Sequence, residues 1–367
     1  MVMTQTASAG SIVVLILLSL PLAVAMRAPR WLLYFLSLVL FASTTYQRVL
    51  IDARGPQDAG SDRDDAAEIA TSGFLHRHNP WEQRTQIGNV ITTGPGTLLL
   101  AAPFVAVTHH IDWLTFAFWM FFAAVLLIED IRQRNQTWLP LCLLYFAGVF
   151  LIETAQHWSL EELSYGCVFI VLATWAARRG AAACMGAALA FAFLIRANYA
   201  FVAFGVVLWW WLEEGASWRA LARAALGGAT TLLATGIVFR LVVGPSLWLT
   251  GPLGPALSKS ASPWPDANSL YHLLQVTLGH APGQLALPLR SSVALGVILL
   301  VALLMRRAGR SGHPYWHAAA GQAAAFFVVA PVDLRWARDY ILPLVILGFL
   351  GVAASPNPAA PGRERAS

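Results

Sequence analysis

The chain has 367 residues, 57% of them hydrophobic and only 12% charged, with a net charge of +5. That charged fraction is about half of what soluble domains carry, and apolar runs of roughly 15–20 residues recur along almost the whole length, which excludes an ordinary soluble domain. The positive balance does not indicate nucleic-acid binding, because the arginines gather in short clusters at the ends of apolar runs, where they orient helices by the positive-inside rule.

In chain order, the first apolar run, 11–26, has no basic stretch in front of it and leads into another apolar run, which favours a retained span over a cleaved leader. Further spans are expected at 31–49, 112–129, 138–155, 164–177, 181–195, 198–212, 224–243, 291–306, 316–331 and 338–354. Arg27/Arg30, Arg132/Arg134, Arg178/Arg179, Arg219/Arg223, Arg306/Arg307/Arg310 and Arg363/Arg365 mark the cytoplasmic side, so 51–94, 156–163, 244–290 and 332–338 face outward. Residues 97–108 are apolar but only about a dozen long, too few for a crossing. Counting them as one would invert every later loop, whereas an interfacial or re-entrant helix on the outer side restores the alternation. Trp209, Trp210 and Trp211 fit an aromatic belt at a membrane interface.

The expected fold is therefore all-α: a polytopic membrane protein with about eleven transmembrane helices. Interfacial helices are expected in the first of two large outer loops, 51–111 and 244–290. One membrane domain covers 1–355, and 356–367 form a disordered cytoplasmic tail. Cys142, Cys167 and Cys184 lie within or beside apolar runs with no disulfide framework, and read as small packing residues.

The most unusual stretch is 51–94, a polar, acidic segment between apolar runs. It holds Asp62, Asp64 and Asp65, then Asn79-Pro80-Trp81, then Thr93-Gly94-Pro95-Gly96. Charges that merely keep a loop out of the membrane are one explanation. The other is chemical. The carboxylates follow a membrane exit by roughly a dozen residues and lead into an amphipathic surface helix, with Ala66, Ile69, Ala70, Phe74 and Leu75 at helical spacing. A carboxylate fixed there can take a proton from a hydroxyl while a lipid-borne partner approaches from the bilayer.

Arg196, in Phe193-Leu194-Ile195-Arg196-Ala197-Asn198-Tyr199, lies on the outer side, where topology needs no basic residue. It is either an exposed hairpin arginine or the partner of an anion, its planar fork suiting phosphate oxygens. Arg335 and Arg338 open the last span on the same side, where pairing with Asp333 and Asp339 competes with a phosphate site. Glu153 and His157 border an outer turn, and loop 244–290 offers Trp264 and Tyr271, aromatic faces of the kind that cover sugar rings. The histidines, among them His76, His78, His109 and His110, show no metal-ligand spacing, so no cofactor is expected and a divalent metal has no support.

Together these landmarks resemble the GT-C superfamily of integral-membrane glycosyltransferases, in particular the bacterial mannosyltransferase-like branch. Asp62 precedes Ala70, Phe74-Leu75 and Asn79-Pro80-Trp81 at nearly the spacing of the acidic residue and Asn-Pro-Tyr run of that family. The stretch Thr93 to Phe104 resembles the Pro-containing helix that follows, and Arg338-Asp339-Tyr340-Ile341-Leu342-Pro343 resembles its Arg-Tyr-Leu-Leu-Pro pattern. Trp81 stands where Tyr is usual, Asp339 interrupts the Arg-Tyr pair, and Ala66 replaces a common aromatic.

The resemblance implies a sugar transfer from a polyprenyl-phosphate donor to an acceptor hydroxyl on a glycan or lipid, at the outer face of a bacterial inner membrane. The general base would be Asp62, with Asp65 and Asp64 as alternatives. Arg196, Arg338 and Arg335 would hold the donor phosphate, and Trp81, Glu153, His157, Trp264 and Tyr271 the acceptor or sugar. Inversion would follow through an oxocarbenium-like transition state. A transporter or flippase of a lipid-linked or anionic substrate would use the same arginines without chemistry, although no internal repeat of the kind common in transporters is visible. An enzyme like an O-antigen polymerase or ligase would rely more on loop 244–290.

Overall fold

The computed structural model describes residues 29–52, 63–86, 88, 91–133, 147, 165–244, 283–307, 313–326, 343–348 and 350–351. Among these the regular elements are all helices: α1 (Arg30–Asp52), α2 (Arg63–Leu75), α3 (Pro95–Thr108), α4 (Asp112–Gln133), α5 (Gly166–Arg178), α6 (Ala182–Ile195), α7 (Tyr199–Leu212), α8 (Trp218–Val243), α9 (Gly283–Arg307) and α10 (Pro314–Ala324). The all-α expectation is met. The runs expected at 11–26 and, apart from Ala147, 138–155 lie outside the described residues, as does the tail 356–367.

Helix bounds depart from the apolar runs for local reasons. α8 begins at Trp218 instead of 224, because the Ser217 hydroxyl accepts the Ala220 N–H and starts the helix ahead of the apolar stretch. α9 begins at Gly283, so the last part of the segment expected as loop 244–290 is helical. α5 ends on Gly180 in the left-handed conformation (φ +70°), with Ala181 N–H returning to the Ala176 carbonyl and Gly180 N–H to that of Ala177. This closing motif turns α5 directly into its antiparallel neighbour α6. Among the described residues α8 alone is, by length and composition, long and apolar enough to cross a bilayer. α3 and Asp112–Ile128 pass the same test only together, as a pair bent by 119°. α5, α6 and α7 are apolar but shorter, at 13, 14 and 14 residues.

Small residues set how closely the helices approach. On α6 and α8, Gly186 faces the carbonyl of Ala224 and Gly227 that of Ala183, with no room for a Cβ at either. On α7 and α10, Gly205 meets the His317 carbonyl and Gly321 that of Phe201. Such backbone-to-backbone contact is how helices associate when side-chain burial from water contributes little. Around these crossings lie buried Trp119, Tyr199, Trp209, Met185 and Ile195. α1 joins through Phe41, stacked on Trp119 of α4 with ring centroids 5.0 Å apart. α9 lays Ala294, Ile298 and Ala302 against Leu208 of α7 and Ala324 of α10.

Polar contacts concentrate at the two ends of this bundle. At one end the Arg178 guanidinium donates to His313 Nε2 at 2.6 Å, and His317 contacts the Glu213 carboxylate at 2.9 Å. His313 also packs on the Tyr315 ring, whose hydroxyl accepts from Thr174. Burial first, and the neighbouring Arg178 charge second, push the His313 imidazole down from 6.5 to about 3. The other end carries Arg48, Asp112, Arg196 and Asn198.

Two expectations follow. Gly205→Val or Gly321→Val forces a side chain into a facing carbonyl and should cost about 1–3 kcal/mol in unfolding of the purified protein. Gly296→Ala, where an added Cβ meets nothing, should instead be neutral or stabilising by up to about 1 kcal/mol. The second concerns pH. Unfolded His313 takes up a proton near pH 6.5 whereas the folded residue resists until about 3, so its contribution is complete above 6.5 and lost as pH falls towards 3. At pH 5 the loss is about 2 kcal/mol. His313→Gln keeps an acceptor for Arg178 without titrating and should flatten this part of the thermal-midpoint profile between pH 7 and 5.

Candidate polar site at the Arg196 end

The site is assembled by a backbone contact. Gly94 lies against the carbonyl oxygens of Leu194 and Ile195, at the end of α6, and Gly96 against the peptide that joins them, so closely that a Cβ on either would overlap this backbone. The segment 91–96 is thereby laid across the end of α6, and Pro95 at the first helical position starts α3 from there. α3 packs against α2, which presents buried Ala66, Ala67, Ala70, Thr71 and Phe74. The surface helix expected from Ala66, Ile69, Ala70 and Phe74 is present. Leu75 is a correction: it points outward, because the chain leaves the helix at this point and Arg77 turns it with φ +62°.

Asn79-Pro80-Trp81 has a physical account of its own. The Asn79 side-chain carbonyl accepts the Trp81 N–H and its amide donates to Glu82, closing a tight turn. Trp81 then gives its indole N–H to the Thr93 carbonyl at 3.0 Å and stacks on Phe239 of α8, which Phe74 also contacts at 4.7 Å. Of the residues expected to touch sugar, Trp81 thus sits buried, with its N–H and one face already engaged by the fold.

Arg196 follows the last residue of α6 in an extended conformation and is half-buried. Its Nη1 donates to the Thr92 carbonyl at 3.1 Å and the Thr92 hydroxyl at 3.3 Å. Both acceptors are neutral, and among the described residues no carboxylate pairs with the guanidinium. The edge formed by Nε and Nη2 has no protein partner there, and that edge is the one with fork geometry for a bidentate anion. Two residues on, Asn198 donates from Nδ2 to Gln322 Oε1 of α10 at 3.1 Å, and Gln322 is fully buried.

A second arginine behaves differently. Arg48, near the end of α1, is 6% exposed and donates from Nε to Asp112 Oδ1 at 2.7 Å, with Asp112 fully buried at the start of α4. The negative charge also suits the helix N-terminus. Asp112 Oδ2 is buried without a hydrogen-bond partner among the described residues. Glu68 of α2 accepts the Ile111 N–H at 2.7 Å and lies 3.9 Å from His110 Nδ1. The sharp α3–α4 corner, where His109 takes φ +63°, is therefore tied to both α1 and α2.

Of the acidic candidates, Asp65 lies half-buried in the first turn of α2 and Asp64 beside it in the same turn. Asp62, Glu153, His157, Trp264, Tyr271, Arg335 and Arg338 lie outside the described residues. The structure brings α2, the 91–96 segment and Arg196 to one end of the bundle. Sequence reasoning missed Arg48–Asp112, Glu68 and Gln322. The signal for Arg48 was present, an arginine on a side where topology asks for none; Gln322 is the one amide in the run 316–331. Among the described residues no three His, Cys, Asp or Glu side chains are grouped to hold a metal ion. No known protein family, curated protein or solved structure matches this chain.

Removing one partner of a buried ion pair strands the other, at about 3–5 kcal/mol, whereas replacing both with apolar side chains is near neutral. Arg48→Met and Asp112→Leu should each lower the thermal midpoint strongly, and the double variant should recover most of the loss. An additive double variant would mean that the two side chains do not depend on one another.

Proposed function

We propose that the chain is a multi-pass membrane glycosyltransferase of about eleven spans. In this reading it moves a sugar from a polyprenyl-phosphate donor to an acceptor hydroxyl at the outer face of a bacterial inner membrane, with inversion. The observation that carries this is the Arg196 guanidinium, held by two neutral oxygens of Thr92 with its Nε/Nη2 edge without a partner among the described residues, at the end of the bundle where α2 and its carboxylates are anchored. An arginine so placed keeps its full charge for an anionic ligand.

A second observation supports the multi-pass reading. The long-range contacts that close helix ends join residues that the arginine alternation puts on the same side. Arg48–Asp112, Arg196–Thr92, Trp81–Thr93 and Thr115–Tyr165 fall on the outer side, and Arg178–His313 and Glu213–His317 on the inner.

The chemistry follows from these parts. A first-loop carboxylate (Asp62, Asp65 or Asp64) takes the proton of the acceptor hydroxyl as that oxygen bonds to the anomeric carbon. The bond from the anomeric carbon to the phosphate oxygen breaks on the opposite face, and polyprenyl phosphate departs without needing a proton. Its developing charge is met by Arg196, with Arg335 and Arg338 as further cations. Trp81 serves by fixing the loop that carries the base.

The test is transfer from a polyprenyl-phosphate hexose by the full chain in lipid nanodiscs. One of Asp62→Asn, Asp64→Asn and Asp65→Asn should lower the rate by about 10²–10⁴-fold, and Arg196→Ala by about 10²–10³-fold. If all three Asp variants transfer as wild type does, the base assignment is wrong. Absence of transfer together with movement of the lipid across proteoliposomes would favour the transporter alternative.

A further inference from the structure

We infer that Asn198, held in place by Gln322, forms a hydroxyl-binding subsite next to Arg196, which takes the sugar of a phosphate-linked hexose while the arginine takes its phosphate. The inference rests on the glycosyl-donor reading and assigns the part of the donor that the arginines do not explain.

The argument begins with what Asn198 does not do. It occupies the N-cap position of α7, where asparagine ordinarily accepts a helix N–H, yet its side chain makes no cap bond. The backbone supplies those amides itself: Tyr199 N–H goes to the Arg196 carbonyl, Ala200 N–H to Ala197 and Phe201 N–H to Asn198. The side chain is thus released from its usual task. It turns instead to Gln322, giving Nδ2 to Oε1 at 3.1 Å.

Gln322 is fully buried on a helix whose neighbouring positions are small or apolar, Ala318, Ala319, Gly321 and Ala324. Burying an amide there is costly unless it is hydrogen-bonded, and a polar residue within an apolar helix faces a partner or a substrate path. Its bond fixes the plane of the Asn198 amide. With Nδ2 committed, Oδ1 has no partner among the described residues, and Asn198 itself is only half-buried.

The result is a short turn that offers two unlike groups two residues apart. Arg196 presents N–H donors to an anion, and Asn198 presents a fixed carbonyl acceptor to a donor. A bare lipid phosphate uses only the first. A phosphate ester of a hexose has both, phosphate oxygens and hydroxyl protons a few bonds away. A protein carbonyl waiting for a hydroxyl also discriminates well, because a substrate lacking that group leaves it unpaired.

The experiment compares a short-chain prenyl phosphate with the same lipid carrying a hexose, binding to the full chain in nanodiscs. Wild type should bind the hexose lipid more tightly than the bare phosphate. Asn198→Ala should reduce that gain about three- to tenfold and leave the bare phosphate unchanged. Gln322→Ala, which removes the positioning bond, should lose part of the gain, and Arg196→Ala should weaken both lipids. A series of monodeoxy-hexose lipids on wild type needs no variant: one analogue should lose the gain while the others keep it.

Equal binding of bare and hexose lipids by wild type would overturn the subsite and leave the phosphate reading standing. So would an Asn198→Ala variant that keeps the gain, or one that weakens both lipids alike with a lowered thermal midpoint, the mark of a mere helix latch. A wild type that binds neither lipid would overturn the donor reading and the subsite with it.

Discussion

The arrangement at the Arg196 end depends on the contact of Gly94 and Gly96 with the backbone of Leu194 and Ile195. Backbone can lie against backbone here only because neither glycine carries a Cβ. Once the segment is seated, Thr92 is within reach of Arg196, Thr93 offers its carbonyl to Trp81, and Pro95 starts α3 in a fixed direction. α2 in turn takes its place from α3, and Phe74 and Trp81 clamp on Phe239 of α8. A single close approach thus locates a helix bearing candidate acids relative to an arginine far away in the sequence.

The bundle separates its chemistry along its length. Between the ends it relies on glycine, alanine and aromatic packing, with Gly186, Gly205, Gly227 and Gly321 at the crossings. Charged and amide side chains meet one another near the ends. If the chain spans a bilayer as proposed, this is what unsolvated polar groups require, since an unpaired one cannot turn to water. The two ends differ in which groups are paired. Arg178–His313 and Glu213–His317 bring charged or titratable groups together, although Glu213 Oε2 and His313 Nδ1 have no partner among the described residues; at the Arg196 end the guanidinium edge and the Asn198 amide oxygen have none among them.

How much of this was legible in the sequence differs by feature. Helices were readable from apolar runs: 31–49, 181–195 and 198–212 sit within or close to α1, α6 and α7. Their ends were less so, because a helix continues as far as its hydrogen bonds and caps allow, as Ser217 shows for α8. The surface helix α2 was readable from its spacing except at Leu75, where the turn through Arg77 overrides the period. Partners across the fold were not readable. Arg48 and Asp112 stand 64 residues apart, and Asn198 and Gln322 stand 124 apart, and nothing local in either segment names the other. The arginines were picked out by their side of the membrane, a criterion that finds charge but cannot tell a neutralised arginine from an available one.

In the proposed reading, that distinction decides which arginine is assigned a chemical part. Arg48 is almost wholly buried against a carboxylate, so its field beyond the pair is largely cancelled, and its geometry is that of a brace between α1 and α4. Arg196 is held by a carbonyl and a hydroxyl, which orient the guanidinium without removing its charge. A transition state that places negative charge on a departing phosphate gains from a cation that is already oriented and still uncompensated. In the proposed reading Arg196, positioned by neutral oxygens on one edge and without a partner on the other among the described residues, meets both conditions, and Arg48 meets only the first.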